Sequence, residues 1–202
     1  MSKVVLTFSM SLDGYVAGPD VSVEHPMGRG GDRLHEWMFT DHRDRAADEA
    51  RMKESFARNG STVVGRRTFD LGLPHWDHET PYPGPSFVFT HRGRKPLPTK
   101  KASFTFVDDG IESAVRQAKA AAGDKDVTVM GAETAQQVLK AGLADELHLT
   151  LVPVLLGGGA RLFDNIGDGQ IELTRIKAVE TAVATHLWFD VDPATRVVGE
   201  AL

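Results

Sequence analysis

Apolar positions along this chain fall into short continuous runs and longer helical patterns. Val4, Val5, Leu6 and Phe8 lie within Lys3 to Ser9, which reads as a buried first strand. Comparable runs at Thr62-Val63-Val64, Ser86 to Thr90, Ser103 to Val107, Asp126 to Met130 and Asp145 to Leu156 predict further strands. Segments at about Ile171–Glu180 and Ala182–Asp190 read as an antiparallel C-terminal hairpin. Helical spacing takes over elsewhere. Asp41 to Arg58 mixes many charges with Ala46, Ala47, Ala50, Met52, Phe56 and Ala57, a helix with a solvated face, and Asn59-Gly60 is a plausible stop. Ile111 to Ala122 is a helix ended by Gly123, and Ala132 to Ala141 one ended by Gly142. Strands alternating with helices, then a hairpin, give an α/β fold: a mostly parallel sheet with an antiparallel C-terminal edge.

The connections are uneven. Ser11-Leu12-Asp13-Gly14 is a turn by composition. Pro19 to Trp37, with Gly28, Gly30 and Gly31, is long for a compact domain, so it is a lid or binding loop, or else a floppy insertion. Leu73 to Pro85 holds four prolines and is loop. Its His75-Trp76-Asp77-His78 has ligating side chains but not a metal-site spacing, so it reads as a polar loop and no metal is expected.

Ligands of α/β sheets gather at the carboxyl ends of strands, where the Gly65, Thr90 and Gly131 junctions fall. At Gly65-Arg66-Arg67-Thr68 a strand ends in glycine and turns toward a helix. That leaves backbone N–H groups free beside two guanidiniums, a combination that favours a phosphate. A surface turn with two solvated arginines is the competing reading. His91-Arg92-Gly93-Arg94-Lys95 makes the next strand end basic as well.

Length and charge narrow the class. The chain has 202 residues, enough for one domain, placed at 1–192 with a tail at 193–202. A net charge of −5 gives no global case for nucleic acid or membrane binding. The absence of cysteine removes disulfides and thiolate chemistry and fits a cytoplasmic enzyme. No secretory leader and no membrane-spanning run is evident. The segment after the first strand, Ser9-Met10-Ser11-Leu12-Asp13-Gly14, lacks the G-x-G-x-x-G fingerprint, which disfavours an ordinary dinucleotide-fold dehydrogenase. Neither Tyr15 nor Tyr82 has a lysine four residues on, against a short-chain dehydrogenase. P-loop, nucleophile-elbow and H-E-x-x-H motifs are also missing.

Four segments do carry a family likeness. They are Ser11 to Gly18; Val64-Gly65-Arg66-Arg67-Thr68-Phe69; Met130-Gly131-Ala132 through Leu139; and Ala141 to Leu147 with Val152 to Gly159. In this order and spacing, across nearly the whole chain, they are specific. The chain resembles the reductase domain of riboflavin biosynthesis, in the dihydrofolate-reductase-like superfamily. The resemblance implies a three-layer fold with helices on both faces of the sheet, and an NADPH-dependent reductase acting on a small pyrimidine- or pterin-like heterocycle. It implies a homodimer. A nucleotide sensor of the same fold, without turnover, is the alternative.

Carried over by motif, Ser9, Val16 and Ala17 would meet the nicotinamide side. Gly65, Arg66, Arg67 and Thr68, with Thr90, His91 and Arg92, would hold the adenosine phosphates. Gly131, Ala132, Glu133, Thr134, Ala135 and Gln136 would take the pyrophosphate. Met130 stands where the family often has glycine, and Glu133 is acidic in the first helical turn. For a proton donor, the resemblance points to an acid on the helix before the Gly-Arg strand. Glu49 falls near that position, with Asp48 and a plain solvated face as competing readings. Asp13 matches the aspartate of the first motif, with a turn role equally open.

Overall fold

A computed structural model describes residues 2–192; Met1 and the expected tail at 193–202 lie outside the described residues. Eleven strands and four α-helices follow one another along the described chain. The strands are β1 (Val4–Ser11), β2 (Tyr15–Ala17), β3 (Asn59–Gly65), β4 (Ser86–Phe89), β5 (Leu97–Pro98), β6 (Ser103–Val107), β7 (Asp126–Met130), β8 (Glu146–Val152), β9 (Ala160–Arg161), β10 (Leu173–Glu180) and β11 (Thr185–Val191). The helices are α1 (Arg45–Arg58), α2 (Arg66–Gly72), α3 (Ile111–Ala122) and α4 (Ala132–Lys140).

Nine strands form one sheet in the order β10-β11-β8-β1-β7-β3-β4-β6-β5, and β2 pairs with β9 in a small second sheet. β8, β1, β7, β3, β4 and β6 are parallel neighbours, whereas β11 runs antiparallel to β8 and β10 to β11. The architecture expected from the sequence, a mostly parallel sheet closed by an antiparallel hairpin, is what forms.

The two faces of the central strands differ in chemistry. Val4, Leu6 and Met10 of β1, Val127 and Val129 of β7, and Leu147 and Leu149 of β8 point to one side, where they join the buried residues of α3 and α4. Burying each such side chain stabilises by about 1.5–3 kcal/mol. Side chains alternate along a strand, so Val5, Thr7, Ser9 and Ser11 of β1 and Glu146, His148 and Thr150 of β8 share the opposite face. α1 covers that polar face. A sheet face under a helix is ordinarily apolar, and this exception marks where to look for function.

Some expectations need correction. β8 stops at Val152, not Leu156: Pro153 follows and Leu155 is exposed, so only part of that apolar run is strand. β1 runs on to Ser11, and α1 begins at Arg45 rather than Asp41. α1 does stop at Asn59, whose amide donates to Ser55 O as the cap, but no turn follows: Asn59 is extended and starts β3 at once. The long segment Pro19 to Trp37 is not floppy. Leu34 and Trp37 are buried with Val152 and Ala184, and Gly31–Leu34 and Glu36–Met38 form short 3-10 turns. The Gly18 amide donates to Met27 O and the Arg29 amide to Pro19 O. Gly28 sits at φ +69°, where an added Cβ would strike the Gly18 carbonyl, so glycine is needed to let the two strands of this loop touch.

Candidate functional site

Two strand–glycine–helix junctions stand side by side at the carboxyl ends of β3 and β7. At the first, Gly65 has ordinary extended backbone, yet an added Cβ would collide with Thr134 Oγ1 of the second. At the second, Gly131 has φ +95°, and its added Cβ would lie 2.6 Å from Thr68 Oγ1 of the first. The two junctions are thus interlocked, each glycine making room for the other's threonine. No side chain caps α2 or α4, so first-turn amides at both helix starts are left without helical acceptors. Within α4, Ala135 and Gln136 are buried, and Gln136 Nε2 donates to Arg161 O at 2.9 Å. That bond places Gln136 in the packing of β9. Ala132, Glu133 and the backbone of Thr134 form the open end.

A basic rim borders these junctions. Arg66 shares its one Nε–H between the two carboxylate oxygens of Asp70, at 2.9 and 2.8 Å. Arg67 is exposed, and among the described residues no ion pair engages Arg67, Arg92 or Arg94. Arg94 lies 4.8 Å over the Phe106 ring, with Arg66 5.9 Å from it. Arg94, one of the basic residues of the His91–Lys95 run, thus shares the Phe106 ring with Arg66. Thr90 is buried at the end of β4, where its Oγ1 accepts the Arg92 amide at 3.1 Å and fixes the turn that presents His91 and Arg92.

The polar face beneath α1 holds a second constellation. Asp48 is fully buried. Its Oδ2 accepts from His42 Nε2 at 2.7 Å and its Oδ1 from His186 Nε2 at 2.6 Å. His42 Nδ1 accepts the Asp44 amide, and His186 Nδ1 accepts the Thr150 hydroxyl at 2.9 Å. Both rings therefore carry their N–H on Nε2, toward the carboxylate. Burial holds His186 below the ordinary histidine pKa, although the bond to Asp48 pulls the other way. Trp37 packs edge-on against His186, ring centroids 5.0 Å apart, and donates its indole N–H to Ser9 Oγ at 2.9 Å. Ser9, Trp37, His186, Asp48 and His42 thus form one contiguous cluster drawn from four separate parts of the chain.

Glu49, by contrast, lies on the solvent side of α1, paired with Arg45 at 3.1 Å and Lys53 at 3.9 Å. Asp48 is the carboxylate that faces the sheet. Asp13 ties loops together. It accepts from Ser11 Oγ at 2.6 Å and from the Gly157 and Leu156 amides at 2.7 and 3.1 Å. These bonds, the Ser11 hydroxyl first, hold its carboxyl down to about 2. Val16 is buried, Ala17 pairs with Ala160, and an added Cβ on Gly159 would strike the Ala17 carbonyl. β2 and the Gly157–Gly159 loop are therefore held in close contact next to Ser11. In the Leu73–Pro85 loop, His75 Nε2 donates to Val23 O at 2.7 Å, a loop-to-loop tie.

A model of the RibD C-terminal domain family matches residues 2–185 of the chain. The uncharacterized protein YwjB of Bacillus subtilis (strain 168) is 25% identical over 191 residues, which cover 91% of this chain and 96% of that protein. Among solved structures, a provisionally assigned riboflavin biosynthesis protein from Shewanella sp. PV-4 superposes with a TM-score of 0.69 at 24% identity, covering 94% of this chain and 99% of the other. The Thermotoga maritima diaminohydroxyphosphoribosylaminopyrimidine deaminase/5-amino-6-(5-phosphoribosylamino)uracil reductase gives a TM-score of 0.66 at 14% identity. The match covers 95% of this chain and only 57% of that two-activity protein. Enterococcus faecalis dihydrofolate reductase, solved with NADP(H) and RAB-propyl, gives 0.56 at 13% identity over 94% of this chain and 96% of the other. At these identities the structural likeness carries the fold.

Proposed function

The chain belongs to the RibD C-terminal domain family, and on that premise we propose that it is an NADPH-dependent reductase of a small pyrimidine- or pterin-like heterocycle. The observation that carries this reading is the interlocked pair of glycine junctions, Gly65 against Thr134 and Gly131 against Thr68. Two uncapped helix starts at adjacent strand ends offer backbone N–H groups to more than one phosphate, as a dinucleotide requires. The guanidiniums of Arg66 and Arg67 at the first junction suit the additional phosphate of NADPH, Arg66 by exchanging Asp70 for it and Arg67 without an ion pair among the described residues, with Arg92 and Arg94 beside them. The chain's residues therefore fit a phosphorylated nicotinamide dinucleotide. Gly65 to Thr68 and Thr90 to Arg92 would hold its adenosine phosphates, and the amides of Ala132 to Thr134 its pyrophosphate. Ser9, Val16 and Ala17 would border its nicotinamide.

When bound, the nicotinamide supplies a hydride. The chain's own part is to hold the substrate, exclude water and manage a proton. The packed Pro19–Trp37 segment covers the Ser9 region and excludes water there. Asp48, fixed by His42 and His186, is the group placed to hold a proton or a ring N–H of the substrate near Ser9. Its tightly bound, buried position replaces Glu49 in this role. The homodimer belongs to the same reading. Its support is the free edge of β10, where Leu173 and Ile176 are exposed, and light scattering at micromolar concentration should give twice the chain mass.

Turnover is tested by following NADPH oxidation with a panel of reducible pyrimidines and pterins. Oxidation that depends on one class supports the proposal. Tight NADPH binding with no turnover across the panel would point to a sensor instead.

A further inference from the structure

α1 buries charge rather than hydrocarbon: its fully buried residues are Asp48 and Arg51. Asp48 has two histidine donors. Arg51 has no such match. It is 5% exposed, its Nε is buried with no hydrogen-bond partner, and among the described residues no carboxylate pairs with it. The guanidinium lies 5.3 Å from the Trp188 ring centroid, a contact that offers no acceptor for its N–H groups. A buried guanidinium without an acceptor is costly, so its retention here needs a cause.

Arg51 lines a crevice between α1 and the amino-terminal halves of the strands, together with Thr7, Thr128, His148 and Arg58 and the carboxylates of Glu54 and Asp126. The crevice lies well down the sheet from the glycine junctions, because α1 runs opposite to the parallel strands. Asp48 sits near their carboxyl ends, and Arg58 pairs with Asp126 and Glu146 at their amino ends. Every carboxylate near the crevice is already engaged. Asp126 and Glu146 hold Arg58 at 2.7 and 2.8 Å, Glu146 also holds Lys3, and Glu54 lies 3.8 Å from Arg58 and 3.9 Å from Lys177. His148 donates to Glu146 at 2.7 Å, and burial holds it down to about 4, so it is uncharged at neutral pH. Tyr82 and Ser55 bond to one another, and burial keeps the phenol protonated. Arg51 is therefore the one cation lining this crevice that makes no ion pair, among the described residues: Glu54 attracts it through space but does not bond to it.

We propose that this crevice binds the anionic group of a small ligand, a phosphate or a carboxylate, with the Arg51 guanidinium as its anchor. A planar guanidinium accepts either group bidentately, and the Thr7 and Thr128 hydroxyls line the same space. The anionic group has two possible sources: a free inorganic anion, or an acidic substituent on the substrate held under α1. Only the second rests on the reductase reading.

Trp188 is the natural reporter, because Arg51 stacks on it and its indole Nε1 is buried without a partner. Its indole N–H resonance, assigned by Trp188→Phe, is followed during titration with inorganic phosphate, uridine 5′-monophosphate and uridine at matched ionic strength. A saturable shift with both phosphates and none with uridine is expected. Equal affinities identify a free anion site; a nucleotide bound roughly tenfold or more tightly than phosphate identifies a substrate substituent. Arg51→Lys should weaken the phosphate affinity by about tenfold, keeping charge but losing the fork, and Arg51→Met should abolish the shift. No saturable shift in the wild-type protein, or an unchanged one in Arg51→Met, overturns the proposal. NADPH affinity of the same wild-type samples reports separately on the reductase reading.

Discussion

His186 Nε2 donates to Asp48 Oδ1 at 2.6 Å across 138 positions of sequence. This bond joins the strand next to the sheet's edge to the inner face of its first long helix. It also fixes the one buried carboxylate of α1, beside the Trp37–Ser9 pair. One contact therefore links the C-terminal hairpin, itself paired to β8 along β11, with the candidate chemistry of the site.

Exchanging the two neighbouring acids separates their roles. Asp48→Asn removes a charged acceptor from two histidine donors, and hydrogen bonds to charged groups are worth about 1.5–3 kcal/mol each. The variant should lose about 2–4 kcal/mol in urea unfolding and most of its turnover, with NADPH affinity little changed. Glu49→Gln breaks only exposed i,i+4 pairs, so its loss should stay below about 1 kcal/mol, with turnover near wild type. Equal effects from both changes would remove Asp48 from its assigned place.

The interlocked glycines predict an asymmetric rescue. Gly65→Ala fails on sterics alone, since its backbone suits alanine and the obstacle is Thr134 Oγ1. Adding Thr134→Ala should restore both stability and NADPH binding. Gly131→Ala meets Thr68 Oγ1 and also a backbone at φ 95° and ψ 132°, outside the left-handed helical region, which costs an alanine about 1–3 kcal/mol whatever its surroundings. Thr68→Ala should therefore rescue it only in part. Thermal melts with NADPH titrations of the four single and two double variants check this. Full rescue at both positions would contradict it.

Stability should fall in mild acid. The folded His148 has its pKa near 4, held down first by burial and then by the Arg51 charge, against about 6.5 in the unfolded chain. Between those values the unfolded state binds a proton that the folded state refuses. Stability is therefore lost as pH falls from about 6.5 to 4, by up to about 3 kcal/mol from this residue, and the loss levels off below. His186, also lowered by burial, acts in the same direction. His148→Gln should flatten the pH dependence in that window. Urea midpoints from pH 7 to pH 4 measure it, and an unchanged slope in the variant would show that His148 is not the group responsible.

The sequence displayed the strand and helix order, the hairpin and both glycine junctions, because glycine next to a β-branched run and before a helix is a local signal. The polar face was hidden for a physical reason. In Val4–Ser11 the apolar residues Val4, Leu6, Phe8 and Met10 alternate with Val5, Thr7, Ser9 and Ser11, and a reading that treats the run as uniformly buried loses the second set. Choosing between Asp48 and Glu49 requires the rotational phase of α1. A helix whose buried residues are charged has no apolar stripe from which to read that phase. His42 and His186 are isolated in sequence and meet only through the carboxylate between them. In Pro19–Trp37, composition said loop, while the anchoring by Leu34, Trp37 and Gly28 depends on partners from elsewhere in the chain.

The central claim is that the two glycine junctions and their arginine rim bind NADPH. The most direct test measures dissociation constants for NADPH and NADH, at one fixed ionic strength, on the wild-type protein and on the Arg66→Ala, Arg67→Ala double variant. The cofactors differ by one phosphate, and a charge-assisted pair to it is worth about 1.5–3 kcal/mol, or roughly ten- to a hundredfold in affinity. The wild-type protein should bind both saturably and favour NADPH by about that factor. The variant should lose most of this preference while binding NADH almost as before. Absence of saturable NADPH binding, or a preference that survives the loss of both arginines, would contradict the account.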